Sequence, residues 1–290
     1  MHSIERHSSG NNQMKPVMEF TGERMVPEGA DPTTFWEHIY RYRFARRFVT
    51  SKTVLDIACG EGYGSAALLR AGAARVTGVD VSEATCLHAA TKYGTSAVCG
   101  NAENIPVATN SIDVVVSFET IEHLLEPEKF VLECWRVLKP GGVLVISTPN
   151  RPVYNHSDLS VGPKEPNPFH EIEYSYQEFI ALLRLRFNLM RVYSQWPRTI
   201  SRWSPYSLSA YEYPWEGARG FWRLRQVLRE KTCYHLWNDI TSEIRASSVE
   251  LICSTDSFLA SMVNPYCVKP FHLRSREEPR YFVIVAAKES

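Results

Sequence analysis

The sequence has no excess of charge of either sign. Lysine plus arginine and aspartate plus glutamate each total 32 over 290 residues, so the formal net charge at neutral pH is zero. That balance supplies no overall field to draw in nucleic acid or an anionic membrane. The seven cysteines, Cys59, Cys86, Cys99, Cys134, Cys233, Cys253 and Cys267, are scattered and include no C-x-x-C pair. Odd in number and unpaired in spacing, they suggest neither a disulfide framework nor a zinc cluster. No apolar run approaches membrane-spanning length, and polar Ser8-Ser9-Gly10-Asn11-Asn12 stands where a secretory leader would be apolar. A reducing, cytoplasmic setting is the resulting expectation. No internal repeat stands out, and 44% hydrophobic with 22% charged residues is an ordinary globular mix.

The chain opens with a polar tail, residues 1–17, expected to be disordered. An aromatic-rich helix is predicted over 33–49, capped by Thr33 or Thr34 with Glu37 in its first turn. Arg41, Arg43, Arg46 and Arg47 on it, and Arg219, Arg223, Arg225, Arg229 and Lys231 later, read as solvated helix faces. Short β-branched runs then alternate with helical stretches. Val54–Ala58, Arg75–Asp80, Ala97–Cys99, Ile112–Ser117 and Gly142–Ser147 read as strands, with helices at Ser65–Ala71, Ala84–Lys92 and Glu126–Val137 between them. Apolar runs of this kind suit parallel strands buried on both faces, and the alternation argues for right-handed βαβ units. After a Pro-rich loop come a helix near Tyr176–Arg186, a strand near Leu189–Ser194 and a final strand, Tyr281–Ala286. The stretch between these two strands carries Trp196, Trp203, Tyr206, Tyr211, Tyr213, Trp215, Trp222 and Trp237. Aromatics this dense suggest a lid, a substrate wall or a subunit interface, or equally an aromatic satellite core.

The strongest signal is Val54-Leu55-Asp56-Ile57-Ala58-Cys59-Gly60-Glu61-Gly62-Tyr63-Gly64-Ser65, a strand running through a glycine-rich turn into a helix. Such a turn lets a cofactor meet bare backbone. The glycines alternate at 60, 62 and 64 and so depart from the nicotinamide fingerprint G-x-G-x-x-G. Asp80 ends the second strand, where a carboxylate can accept hydrogen bonds from ribose hydroxyls, and Asn101-Ala102-Glu103 follows the third, placed to meet an adenine. From 52 to 150 these segments resemble, in order and spacing, the successive motifs of class I S-adenosylmethionine-dependent methyltransferases. The resemblance implies a Rossmann-like α/β fold, a mostly parallel seven-stranded sheet with an antiparallel last strand. It also implies a cofactor site of Asp56, Ala58, Gly60, Gly62, Asp80, Val81, Asn101, Ala102, Glu103 and Phe118. Ala58 departs from the usual first glycine. Asn101 departs from the more frequent acid, though its amide oxygen can still accept from the adenine amino group.

After the fourth strand comes Phe118-Glu119-Thr120-Ile121-Glu122-His123-Leu124. On a helix, Glu119, Glu122 and His123 would share one face just past a strand's carboxyl end, a plausible divalent-metal site. Acids in a first helical turn are also favoured simply by the dipole. Glu119-x-x-Glu122-His123 is similar to the E-x-x-E-H element of ubiquinone-biosynthesis O-methyltransferases and small-RNA 2′-O-methyltransferases. In the RNA group a further histidine follows the fifth strand, and His170 in Asn167-Pro168-Phe169-His170 would be its match here. The resemblance thus implies Glu119, Glu122, His123 and His170 as ligands of Mg²⁺ or a similar ion, able to lower the pKa of an acceptor hydroxyl. Without a metal, His123 or His170 would be the general base, with Glu119 beside them.

Phe20-Thr21-Gly22-Glu23-Arg24-Met25-Val26-Pro27 and the following helix resemble the amino-terminal segment of bacterial glycan and natural-product methyltransferases. By that likeness residues 18–50 form a lid over the cofactor, with Glu23, Arg24, His38, Arg41 or Tyr42 near its methionine end. The expected organisation is then a tail (1–17), a lid (18–50), a cofactor-binding core (51–195 and 280–290) and a substrate-binding or oligomerisation insertion (196–279). The expected activity is O-methylation of a sugar, a glycan terminus or a glycosylated small molecule, possible in a homodimer. Zero net charge and the lack of a recognisable RNA-binding module count against an RNA acceptor. A non-catalytic cofactor-binding scaffold is the remaining alternative.

Overall fold

The computed structural model describes residues 24–30, 32–151, 167–199, 269–270 and 277–289. The polar tail, Glu23 and nearly all of the aromatic insertion, with its basic run at 219–231, lie outside the described residues. Among the described residues eight strands form one sheet: β1 (Thr53–Ile57), β2 (Arg75–Asp80), β3 (Ser96–Cys99), β4 (Ile112–Phe118), β5 (Leu138–Pro149), β6 (Leu189–Thr199), β7 (Lys269–Pro270) and β8 (Glu277–Ala287). Their order is β3-β2-β1-β4-β5-β8-β6-β7. The first five are parallel, and β8 inserts antiparallel between β5 and β6. This is the seven-stranded, mostly parallel sheet with an antiparallel last strand that the sequence predicts, plus a two-residue edge strand, β7, paired to β6.

Helices α1 (Pro32–Ala45), α2 (Tyr63–Arg70), α3 (Glu83–Tyr93), α4 (Pro127–Val137) and α5 (Tyr176–Leu183) cover the sheet. Side chains alternate across each strand, so Val114 and Val116 join a core with Phe35, Ile39 and Leu68 of α1 and α2. Val115 points the other way, into a core with Phe130 and Val137 of α4 and Phe179 of α5. Local signals start the later helices. Ser82 caps α3 by accepting from the backbone of Thr85, and Ser175 with Glu178 forms a reciprocal capping box on α5.

Helix α1 differs from expectation in two ways. It begins at Pro32, earlier than Thr33 or Thr34, because proline suits the first helical position; Glu37 therefore falls in the second turn. Of the four arginines read as a solvated face, Arg41 and Arg43 are buried, while Arg46 is half-buried and Arg47 exposed in the 3-10 turn that follows. Phe35, Trp36, Ile39, Tyr40, Phe44 and Ala45 are buried as well, so the helix is wedged nearly all round and charged side chains go inside with it. Arg43 meets the ring of Tyr40, 5.2 Å from its centroid. Among the described residues no helix is long and apolar enough to cross a membrane.

Candidate active site

A cleft of about 550 Å³ opens at the carboxyl ends of β1, β2, β3 and β4, beneath one face of α1. Its glycine-rich floor follows β1. Ala58 and Gly60 both take left-handed backbone, φ 54 for each, and both line the cleft. A Cβ built on Gly60 meets nothing within 4 Å, so the bare backbone faces open space. The Gly60 amide donates to Oδ2 of Asp80 at 3.0 Å and the Ser82 amide to Oδ1 at 3.0 Å. These two bonds fix the carboxylate while leaving lone pairs for a ligand. Val81, Asn101, Ala102, Glu103 and Phe118 also line the cleft.

Three expected cofactor contacts are engaged elsewhere. Asp56 is fully buried behind the floor, accepting from Tyr42 Oη at 3.1 Å and Ser65 Oγ at 2.6 Å; burial pushes its carboxyl up to about 7. Tyr42 thus spends its hydroxyl on Asp56 and meets the cleft only with its ring, stacked edge-on against Phe118 at 5.1 Å. Gly62 does not line the cleft: it precedes α2 with φ 90, and a Cβ there would strike Ala89 of α3 at 2.6 Å. Its role is helix packing. On the adenine side the Asn101 amide oxygen accepts from the Glu103 backbone at 2.8 Å, and Glu103 Oε1 accepts from the Glu126 backbone at 2.7 Å.

At the other end of the cleft the polar residues come from α1. Arg24 reaches α3, donating to Thr85 Oγ1 at 2.9 Å; Arg41, 0% exposed, is the arginine at the α1 end of the cleft. Its Nη1 donates to Gln195 Oε1 at 3.0 Å and lies 3.8 Å from Glu119 Oε1. Its Nε and Nη2 have no hydrogen-bond partner among the described residues. Tyr281 of β8, unmarked by any sequence motif, lies 4.7 Å below the guanidinium and donates to Glu37 Oε2 at 2.9 Å. His38, whose basicity burial lowers well below the usual range, pairs through Nδ1 with Tyr63 Oη at 3.2 Å.

The acid–histidine element is not helical. Glu119 leaves β4 with φ 51, and only a 3-10 turn, Ile121–His123, follows before Pro127 starts α4. The shared helical face predicted for Glu119, Glu122 and His123 is therefore broken at the left-handed residue. Glu119 instead turns back onto β5, where Ser147 Oγ donates to it at 2.7 Å. Glu122, His123 and His170 do converge, with one ligand-type atom from each lying within 4.8 Å of the others; Glu119 is not in that group. Glu122 is fully buried, accepts from Thr148 Oγ1 at 3.1 Å, and keeps Oε1 without a partner. Burial first, and then the neighbouring Glu119 charge, raises its carboxyl well above the usual range. The Nδ1 of His123 donates to the Phe169 carbonyl at 2.7 Å, leaving Nε2 with its lone pair. Burial lowers the basicity of His170 from the ordinary imidazole range. Its ring stands edge-on to His123 with centroids 4.9 Å apart. Asn167, which sequence reasoning passed over, lines the cleft beside it.

Sheet order, glycine floor and Asp80 together define a doubly wound nucleotide-cofactor fold of the methyltransferase type. The comparisons agree. A methyltransferase-domain family profile matches residues 55–146. A protein of Mycolicibacterium smegmatis named a probable S-adenosylmethionine-dependent methyltransferase is 41% identical over 179 residues, covering 60% of this chain and 66% of its own. One of the same name from Mycobacterium tuberculosis is 37% identical over 190 residues, 62% of this chain and 67% of its own. The chain thus spans about two thirds of the length of these relatives. A ubiquinone biosynthesis O-methyltransferase of Parvibaculum lavamentivorans is 38% identical over 113 residues, 37% of this chain and 44% of its own. Among solved structures, a Thermotoga maritima S-adenosylmethionine-dependent methyltransferase, described as a possible histamine N-methyltransferase, superposes with TM-score 0.50 at 18% identity. It covers 91% of this chain and 97% of its own; at that identity the likeness shows the fold alone. The chain belongs to the class I S-adenosylmethionine-dependent methyltransferases, and it is an enzyme of that class.

Proposed function

We propose that this methyltransferase acts on a hydroxyl of a sugar, a glycan terminus or a glycosylated small molecule, assisted by a divalent cation. The observation that carries the reading is the convergence of Glu122, His123 and His170 on the cleft wall, with the fully buried Glu122 Oε1 left unpartnered. Buried polar atoms are almost always satisfied, so an orphan oxygen beside two imidazoles fits a cation. One carboxylate and two imidazoles suit a borderline ion such as Mn²⁺, Co²⁺ or Zn²⁺ better than the Mg²⁺ expected from four ligands including Glu119. A bound ion would supply Lewis acidity that lowers the pKa of the acceptor hydroxyl.

The chain's own groups do the rest. The Gly60 backbone and Asp80 hold the nucleoside end of the cofactor. Arg41, with two unpartnered donor nitrogens, meets an anionic group, which we assign as the methionine carboxylate. Glu119, fixed by Ser147, stands between the two ends. A second reading, without a metal, is favoured by one detail: with Nδ1 donating to the Phe169 carbonyl, the neutral ring of His123 presents its lone pair on Nε2 and is the better-placed general base, whereas both ring nitrogens of His170 are engaged.

The test is S-adenosylhomocysteine formation on sugars, glycosides and short RNAs, with each divalent cation and with chelator. Turnover on a sugar or glycoside that chelator and Glu122→Gln both abolish supports the proposal. Chelator-resistant turnover lost in His123→Ala would transfer the role to the histidine base, and turnover confined to RNA would overturn the acceptor class.

A further inference from the structure

The imidazole of His170 is gripped at both nitrogens. Its Nδ1 lies 3.2 Å from Glu173 Oε1 and its Nε2 lies 2.9 Å from Asn167 Nδ2. The Asn167 amide is itself oriented, because its Oδ1 accepts the Phe169 backbone N–H at 3.0 Å. The amino end must then face His170, and an amino group only donates. Nε2 therefore carries a lone pair, the ring proton sits on Nδ1, and the Glu173 carboxylate accepts it. Two independent hydrogen bonds dictate the same tautomer, and the Phe169 carbonyl imposes the matching one on His123.

Glu173 is otherwise an expensive residue. Its side chain is 9% exposed, and its Oε2 is buried with no hydrogen-bond partner among the described residues. Burying a carboxylate for one hydrogen bond costs stability, and an apolar side chain would fill the space without that cost. What the carboxylate supplies is direction. Imidazoles that ligate a metal commonly donate their other N–H to a carboxylate or carbonyl, which sets ring orientation and raises basicity.

We propose that Glu173 is a positioning residue: it fixes His170 as the Nδ1–H tautomer and turns its Nε2 lone pair into the Glu122–His123–His170 group. The Asn167 amide occupies that lone pair until a cation takes it. The cation clause rests on the metal-assisted reading above; the tautomer does not.

Both parts are tested on the full-length protein. Histidine ¹⁵N spectra of the metal-free wild type should show His170 protonated at Nδ1. Glu173→Gln and Glu173→Ala should move it only slightly towards the Nε2–H form, because Asn167 still donates to Nε2, and the shift should be large when Glu173→Ala is combined with Asn167→Ala. Calorimetric titration with Co²⁺ should show roughly 10–100-fold weaker binding in both variants. S-Adenosylhomocysteine affinity should stay within about twofold, reporting an intact fold. Asn167→Ala serves as a control of opposite sign: with the competing donor gone, Co²⁺ should bind more tightly while His170 stays protonated at Nδ1. An Nε2–H tautomer in the wild type, or one equally Nδ1–H in Asn167→Ala and in the Glu173→Ala/Asn167→Ala double variant, overturns the positioning role. Equal Co²⁺ affinity in wild type and both Glu173 variants does so too. A wild type with the expected tautomer that binds no divalent cation supports the positioning role and overturns only the metal reading.

Discussion

Replacing Asp56 by asparagine should make the protein more stable at neutral and alkaline pH and leave it no better off in acid. Asp56 has no access to solvent and receives only the hydroxyls of Tyr42 and Ser65. Burial outweighs both bonds and raises its carboxyl from the ordinary 3.8 to about 7. Below the lower value the folded and unfolded chains both carry the proton. Between the two, the unfolded chain releases a proton that the folded chain retains, so stability falls as pH rises. Above about 7 the penalty is constant. About three pK units correspond to an upper bound of about 4 kcal/mol. Asparagine carries no charge to desolvate and can still accept from Ser65, but it weakens the bond to Tyr42, so a net gain of about 1–3 kcal/mol is expected at pH 8. Urea denaturation of both proteins across about pH 4 to 8 isolates the effect, because other titrating groups cancel in the difference. The stability difference should climb through the acid range and flatten near neutrality. A pH-independent difference would refute the reasoning and mean that Asp56 is ionised throughout.

Two further perturbations follow from close contacts at the cleft. A Cβ at Gly64 would collide with ring carbons Cζ and Cε1 of Tyr42, so Gly64→Ala should cost about 1–3 kcal/mol in urea melts. Much of that cost should disappear when Tyr42 is also replaced by alanine. Arg41→Met removes the donors assigned to the methionine carboxylate and should weaken S-adenosylhomocysteine binding by roughly 10–100-fold in calorimetry, the worth of a hydrogen bond to a charged group. Unchanged affinity would assign Arg41 to another ligand or to none.

The parts of this molecule written in contiguous sequence were legible. Val54-Leu55-Asp56-Ile57 reads as a buried strand because four adjacent positions face packed layers, and Asp80 could be placed because it ends such a strand before a capped helix. Asn167, three residues from His170, was passed over, but other site residues that sequence reasoning missed are contributed across long separations. Tyr281 reaches Glu37 across 244 positions and Gln195 reaches Arg41 across 154; no local pattern encodes either. Where the reading went astray, backbone conformation was the reason. A glutamate at φ 51 is indistinguishable in sequence from one beginning a helix, yet it seats Glu119 against Ser147 and takes it off any helical face shared with Glu122 and His123. The arginines of α1 were misread because a basic helix is usually solvated, while here aromatic residues bury it on nearly every side.

That burial bears on function. Arg41 sits with the buried Glu37 and the partly exposed Glu119 and Arg280 in one ion cluster, and Glu37 is raised above the usual carboxylate range by burial despite two neighbouring guanidinium groups. Buried ion clusters seldom stabilise a fold better than well-packed apolar side chains of the same volume. Stability alone therefore does not account for a fully buried arginine with two unpartnered donors on the cleft wall. An anionic ligand does, because the cluster then becomes a preorganised receptor that loses little water and little side-chain freedom when the ligand arrives. Sparing the fold the charge while losing the ligand is the signature to look for: Arg41→Met should depress cofactor affinity far more than it depresses stability. If stability instead falls by about 3–5 kcal/mol while affinity holds, the arginine serves mainly to neutralise Glu37 and Glu119.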